Sequence, residues 1–180
     1  MSNPMRELAA LAGRMAEMER RMFGMVRHGT VAEIDAAAGR LRLNLGESTS
    51  GGDFLGPWVP YSQMAGALRA HLPPSVGQQM TLFAPSGDLR QAVAMPMTWS
   101  NSTPSPSGAG NENVITFGGA EIRLTADGLT ISVGGVSLAI TGAGVAITGG
   151  AVSHNGANIG STHIHGGVLP GPTTTLPPAN

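Results

Sequence analysis

The sequence contains no cysteine and no lysine, and only one tyrosine, two tryptophans and four phenylalanines among 180 residues. Without cysteine, neither a disulfide framework nor a thiolate metal site can form. All ten basic residues are arginines, and the formal net charge is −1. They are scattered rather than gathered into a stripe, so the electrostatic footprint of a nucleic-acid-binding surface is missing. No stretch reaches the roughly 18 consecutive apolar residues that a membrane-spanning helix needs. The N-terminus carries charges where the apolar segment of a secretory leader would run. The expectation is a chain made in the cytoplasm, whose contact with any membrane is mechanical or transient.

The most informative absence is local. Every acidic residue lies between Glu7 and Asp127 and every basic one between Arg6 and Arg123, so Gly128 to Asn180 carries neither. That segment is rich in Gly, Thr, Ser, Val, Ile and Ala. A disordered linker would not alternate so many β-branched apolar residues with small ones. Two compositions imply two architectures.

Asn3 followed by Pro4 reads as a helix cap and first helical position. Behind it Leu8, Leu11, Met15, Met18 and Met22 step by three and four, and Glu17 is placed to pair with Arg21 one turn later. The stripe admits two readings, a helix docked on its own domain or a three-helix bundle on a trimer axis. This helix is assigned to residues 1–23. Over 24–99 the period switches to strands. VRHGTVAEID is followed by a turn ending in Gly39, and then by Leu41, Leu43 and Leu45 on one face with Arg42 and Asn44 on the other. Trp58-Val59-Pro60-Tyr61 reads as a buried run, and QQMTLFA, PSGD and LRQAVAM as a second hairpin. Four or five short strands fit a small closed barrel, either an OB-fold or an SH3-like one.

Residues 100–112 form a Ser/Pro/Gly linker. From 113 to 162, VITF, EIRLT, LTISV, VSLAIT and VAIT are separated by short Gly-containing turns. Strands this short, with one narrow apolar face, enclose no core by themselves and leave their edges open. Three copies wound about one axis solve both problems. The fold class expected is therefore all-β with a short N-terminal helix: a barrel followed by an intertwined triple-stranded β-helix, in a homotrimer whose strands pair between chains.

Residues 163–180 hold the His163-Ile164-His165 pair and a Pro/Thr tail. Two residues apart on an extended strand, the imidazoles share one side, with Cα atoms roughly 6.6 Å apart. A bare His-x-His is a weak signal. If three chains meet on an axis, however, six imidazoles surround one ion, and an octahedral nitrogen shell suits iron or nickel better than four-coordinate zinc. A hydrolytic zinc site would need further ligands and a general base. The charge-free segment supplies no carboxylate, and His154 adds at most a ligand. No nucleophile elbow or phosphate-cradling glycine motif follows a strand. His28 and His71 lack ligand spacing. No catalytic residue is assigned, and the protein is not expected to be an enzyme.

The helix, VRHGTVAEIDAAAGRLRLNLG, WVPY, SVGQQMTLFAPSGDLRQAV and the closing THIHGG occur in an order that resembles the baseplate assembly protein V family, the central spikes of contractile-tailed phages. The resemblance implies an OB-fold collar beneath the tail tube and a needle-like β-helical rod. It also implies one iron ion per trimer, held by His163 and His165 of three chains. The implied place is the virion tail baseplate. The implied partners are two further copies, the baseplate hub and tube proteins and, transiently, the host outer membrane, with no nucleic acid. Two other readings stand beside it. One is the equivalent spike of a phage-derived injection device, such as a tailocin, gene transfer agent or secretion system. The other is an OB-fold ligand-binding protein with a low-complexity tail.

Overall fold

The chain divides into two compact units, Met1–Ser105 and Pro106–Asn180. The computed structural model describes residues 3–164 and Gly167.

The first unit opens with helix α1, Pro4–Met25. Asn3 caps it in an extended conformation, its Oδ1 accepting from the Met5 N–H at 3.0 Å. Pro4 has no N–H to leave orphaned at the first helical position. On the outer surface Glu17 accepts from Arg20 at 2.8 Å and from Arg21 at 2.7 Å. Those hydrogen bonds, Arg20's first, hold the Glu17 carboxyl at about 2. The cluster is therefore intact above the ordinary glutamate range and is lost only as pH falls toward that value. No residue of α1 is buried. Of the two readings of the Leu/Met stripe, docking on the helix's own domain is not what the fold does.

The chain runs from α1 directly into the barrel. Its strands are β1 (Val26–Asp35), β2 (Arg40–Glu47), β3 (Asp53–Leu55), β4 (Val59–Pro60), β5 (Gln79–Phe83) and β6 (Val93–Pro96). Antiparallel pairs join β1 to β2 and β5, β2 to β3 and β4, and β5 to β6. A parallel bridge between Tyr61 and Ala94 closes the ring. Around the barrel the order is β5-β1-β2-β4, with β6 between β4 and β5. The strand after the long connection thus returns beside the first, which is a Greek key. This ring order is that of an OB-type barrel, and it decides between the two barrels the sequence allowed.

Alternation explains the core. Leu41 and Leu43 are fully buried beside Val31, Val59, Met80, Leu82 and Ala94, while Arg42 and Asn44 point outward. A bulge between Val31 and Glu33 bends β1 around the barrel. The run at residues 58–61 is not uniformly buried: Val59 and Tyr61 are inside, whereas Trp58 lies outside under the Arg42 guanidinium, 5.9 Å from its ring centroid. A strand pleat cannot bury consecutive side chains on one face. Beneath the last turn of α1 sits Gly87, with φ +74°, where a Cβ would lie 2.5 Å from the Arg21 carbonyl oxygen.

The second unit is a five-stranded antiparallel meander, β7 (Glu112–Phe117), β8 (Ala120–Thr125), β9 (Gly128–Val133), β10 (Val136–Thr141) and β11 (Gly144–Thr148), followed by a small hairpin of β12 (Ser153–His154) and β13 (Ala157–Asn158). Here the fold differs from the cross-chain pairing expected above, because each strand pairs with its sequence neighbour in the same chain. The turns explain it. Gly134 and Gly135 have φ +56° and +90°, values that a two-residue hairpin loop requires and that glycine adopts without strain.

Two measurements test this account of the barrel. Leu43→Ala removes a side chain with no solvent exposure and is expected to cost about 2–5 kcal/mol in urea unfolding of the barrel. Gly87→Ala should destabilise clearly more than Gly39→Ala, because both glycines have positive φ but only Gly87 has backbone within 4 Å of the added Cβ. Equal losses would show that the helix does not press on this loop.

Candidate functional site

In an antiparallel sheet, directly opposed residues project to the same face. The register of the meander therefore sorts its side chains into rows. One row runs Leu124, Leu129, Ile140, Val145, and the next runs Ile115, Ile122, Ile131, Leu138, Ile147. A third holds Phe117, Val133 and Val136 beside Ala120. Apart from Asn113, which stands opposite Leu124 at the β7 edge, every large side chain on this face is apolar, and none is fully buried. Phe117 is 90% exposed and Ile115 68%. The opposite face carries Glu112, Thr116, Glu121, Arg123, Thr125, Thr130, Ser132, Ser137, Thr141 and Thr148, with Val114, Ala139 and Ala146 between them.

Charge on the polar face is confined to the first hairpin. Arg123 donates to Glu112 and, at 3.0 Å, to Glu121, while the Ser107 hydroxyl also donates to Glu112. Arg123, and after it Ser107, lowers the Glu112 carboxyl below its usual range, and the two carboxylates push the guanidinium up. Spacing along a single strand gives no hint of this cluster. It follows from the β7–β8 register, which sets Glu112 diagonally from Arg123.

Beyond the meander, the hairpin turns through Asn155 and Gly156, with φ +48° and +82°. These are the left-handed values an Asn-Gly turn favours. The next turn is held by Asn158, whose Oδ1 accepts from the Gly160 N–H at 2.9 Å and whose Nδ2 donates to Thr162 at 3.0 Å. His163 follows. Its Nδ1 lies 2.6 Å from the Gly160 carbonyl oxygen, and since a carbonyl only accepts, Nδ1 carries the proton. That tautomer leaves Nε2 as the basic nitrogen, the arrangement in which one ring nitrogen anchors to backbone while the other takes a metal.

His165, the second residue of the expected pair, lies outside the described residues, as does the tail from residue 168. Among the described residues no three His, Asp or Glu side chains converge on a point that could hold a metal. His154 is exposed in the β12–β13 hairpin. His28 faces Thr81 across the β1–β5 pair, at 3.0 Å, in the other unit. The donor set thus fits a metal only if further ligands come from His165 and from other copies.

Comparison with known proteins places the barrel. Residues 27–99 match the type VI secretion system/phage-baseplate injector OB domain. The chain is also 36% identical over 91 residues to a protein of Escherichia phage P2 described as a spike protein; the match covers 51% of this chain and 41% of that one. It therefore spans less than half of that relative's length. The ring order of the barrel and the match over residues 27–99 agree, so that part of the chain is similar to the phage-baseplate and type VI injector OB domain in both sequence and fold.

Proposed function

We propose that the protein is the central spike of a contractile-tail baseplate, a homotrimer whose barrel caps the tail tube and whose meander unit forms the rod. One observation carries this reading, the broad apolar and uncovered face of the β7–β11 sheet, interrupted among its large side chains only by Asn113 on its edge strand. A sheet one layer thick must bury such a face against another layer. Soluble monomers rarely leave a contiguous apolar patch of this kind in water. Three copies about one axis cover each other's faces and turn the Thr/Ser faces outward, which gives the triple-stranded β-helical rod its inside and outside. The match to a spike protein of phage P2 supports the same role.

On this reading sheath contraction supplies the force, and the rod transmits it through the host outer membrane. The hub and tube proteins of the baseplate hold the barrel end. The family description names type VI secretion systems beside phage baseplates, and that wording favours one further reading, the equivalent spike of a phage-derived injection device. Both readings require the same trimer and the same rod.

His163 and His165 of three chains are assigned to a single metal ion at the far end of the rod, with iron the best fit to six imidazoles. The anchored Nδ1 of His163 and the shortage of ligands within one chain support a site shared between copies. Such an ion would fasten strand ends where fraying begins.

Absolute mass by light scattering should give three times the 18.3 kDa chain. Ile131→Glu sets a charge in the middle row of the apolar face and should lower the mass to that of one chain. Thr130→Glu, on the opposite face, should leave it unchanged. A single-chain mass for the unaltered protein would refute the proposal. Metal analysis of the same sample should find close to one ion per three chains, reduced to near zero by His163→Ala with His165→Ala while the mass stays trimeric. Undiminished metal in that double variant would remove the histidines from the site.

A further inference from the structure

We infer that α1 is a second self-association surface, a parallel coiled coil formed with the same helix of other copies of this chain. The inference takes only the number of helices from the threefold reading, and its residues are separate from the apolar sheet.

Leu8, Met15 and Met22 repeat every seven residues, with Leu11, Met18 and Met25 interleaved. These are the a and d positions of a heptad seam. All six are exposed and no residue of the helix is buried. Three heptads without a partner are marginal in water. Four of the six seam residues are methionine, whose flexible side chain packs adaptably but specifies little. Orientation must then come from the flanking charges.

This register puts Arg14 at a g position and Glu19 at the e position of the following heptad. In a parallel pair, g of one helix faces the next e of the other, so Arg14 meets Glu19 of the neighbouring copy. An antiparallel pair would bring g against g, Arg14 toward Arg21, and the like charges would repel. Within one chain neither Arg14 nor Glu19 takes part in an ion pair among the described residues, whereas Glu17, Arg20 and Arg21 satisfy one another on the outer surface. Arg14 and Glu19 share this with Arg6 and Glu7 of the first turn, but only they form a matched g–e pair of opposite sign across the seam. Charge complementarity therefore selects a second copy, in parallel, as the occupant of this stripe.

The chain lacks cysteine, so single cysteines in the full-length protein report proximity cleanly. Under mild oxidation Met18→Cys, in the seam, should form covalent dimers at least about tenfold faster than Gly13→Cys on the outer surface, because a disulfide needs Cα atoms within about 7 Å. In the Met18→Cys chain, Arg14→Glu should slow cross-linking roughly twofold to fivefold, the range of an exposed ion pair. Adding Glu19→Arg should restore it. A trimeric mass with no preference for Met18→Cys over Gly13→Cys overturns this inference and leaves the threefold rod standing. A charge swap that fails to restore the rate overturns the parallel arrangement.

Discussion

A β-sheet hydrogen-bonds all its interior backbone, yet it is stable in water only if its apolar side chains find a second layer. The barrel of this protein meets that demand alone, by curving one sheet until its inner face meets itself around Leu41, Leu43, Met80 and Leu82. The β7–β11 meander does not curve in this way, and among the described residues its unit contains none that is fully buried. The difference is traceable to residues. The bulge in β1 and the long return between β4 and β5 let the barrel close, whereas the meander's two-residue turns join neighbouring strands in unbroken register. An unbroken register keeps all the large apolar residues except Val114 on one side and gives the chain no means of covering that side itself. The proposed trimer is the consequence of that geometry.

The barrel and the meander accordingly stand on different energetic footings. A fully buried leucine contributes about 1.5–3 kcal/mol by leaving water, and the barrel gathers several within one chain. The same kind of side chain on the exposed face of the meander contributes little within one chain, so on the proposed reading folding of that unit and assembly are coupled. The matched region ends at residue 99, near the boundary between these two regimes. Within residues 27–99 the constraint is a self-contained core of alternating strands, a pattern that leaves a readable trace in sequence. Beyond it, any apolar residue alternating with a small one satisfies the sheet.

How much was legible follows from the same distinction. The alternation of Leu41, Leu43 and Leu45 and the Asn3-Pro4 cap were visible because they rest on periods and positions within a few residues. The ring order of the barrel was not, since a short bridge such as Tyr61 to Ala94 leaves no local signal and alone separates two barrel types of equal strand count. The strands of the meander were readable from their Gly-containing turns, but their order within one chain was not. The argument from uncovered apolar faces applied equally to pairing within a chain and between chains, and within one chain each strand pairs with its sequence neighbour. At the histidine turn, the His-x-His spacing was plain. The anchoring of the His163 ring on the Gly160 carbonyl depended on a turn set by Asn158, which carries no motif.

The meander also converts a one-dimensional feature of the sequence into a spatial one. Because strand order in the sheet equals chain order, the loss of charge after Asp127 becomes a loss of charge across the sheet from β9 onward. Glu112, Glu121 and Arg123 all lie on the first two strands, tied to one another, and the strands beyond present Thr, Ser, Ala and Gly on the polar face. A surface that enters a membrane must shed water from whatever it exposes. Shedding water from an ionised side chain costs far more than from a hydroxyl or a methyl group. On the proposed reading, a rod whose later strands carry no charge needs the least work to cross an apolar layer, while its hydroxyl groups keep its other face polar.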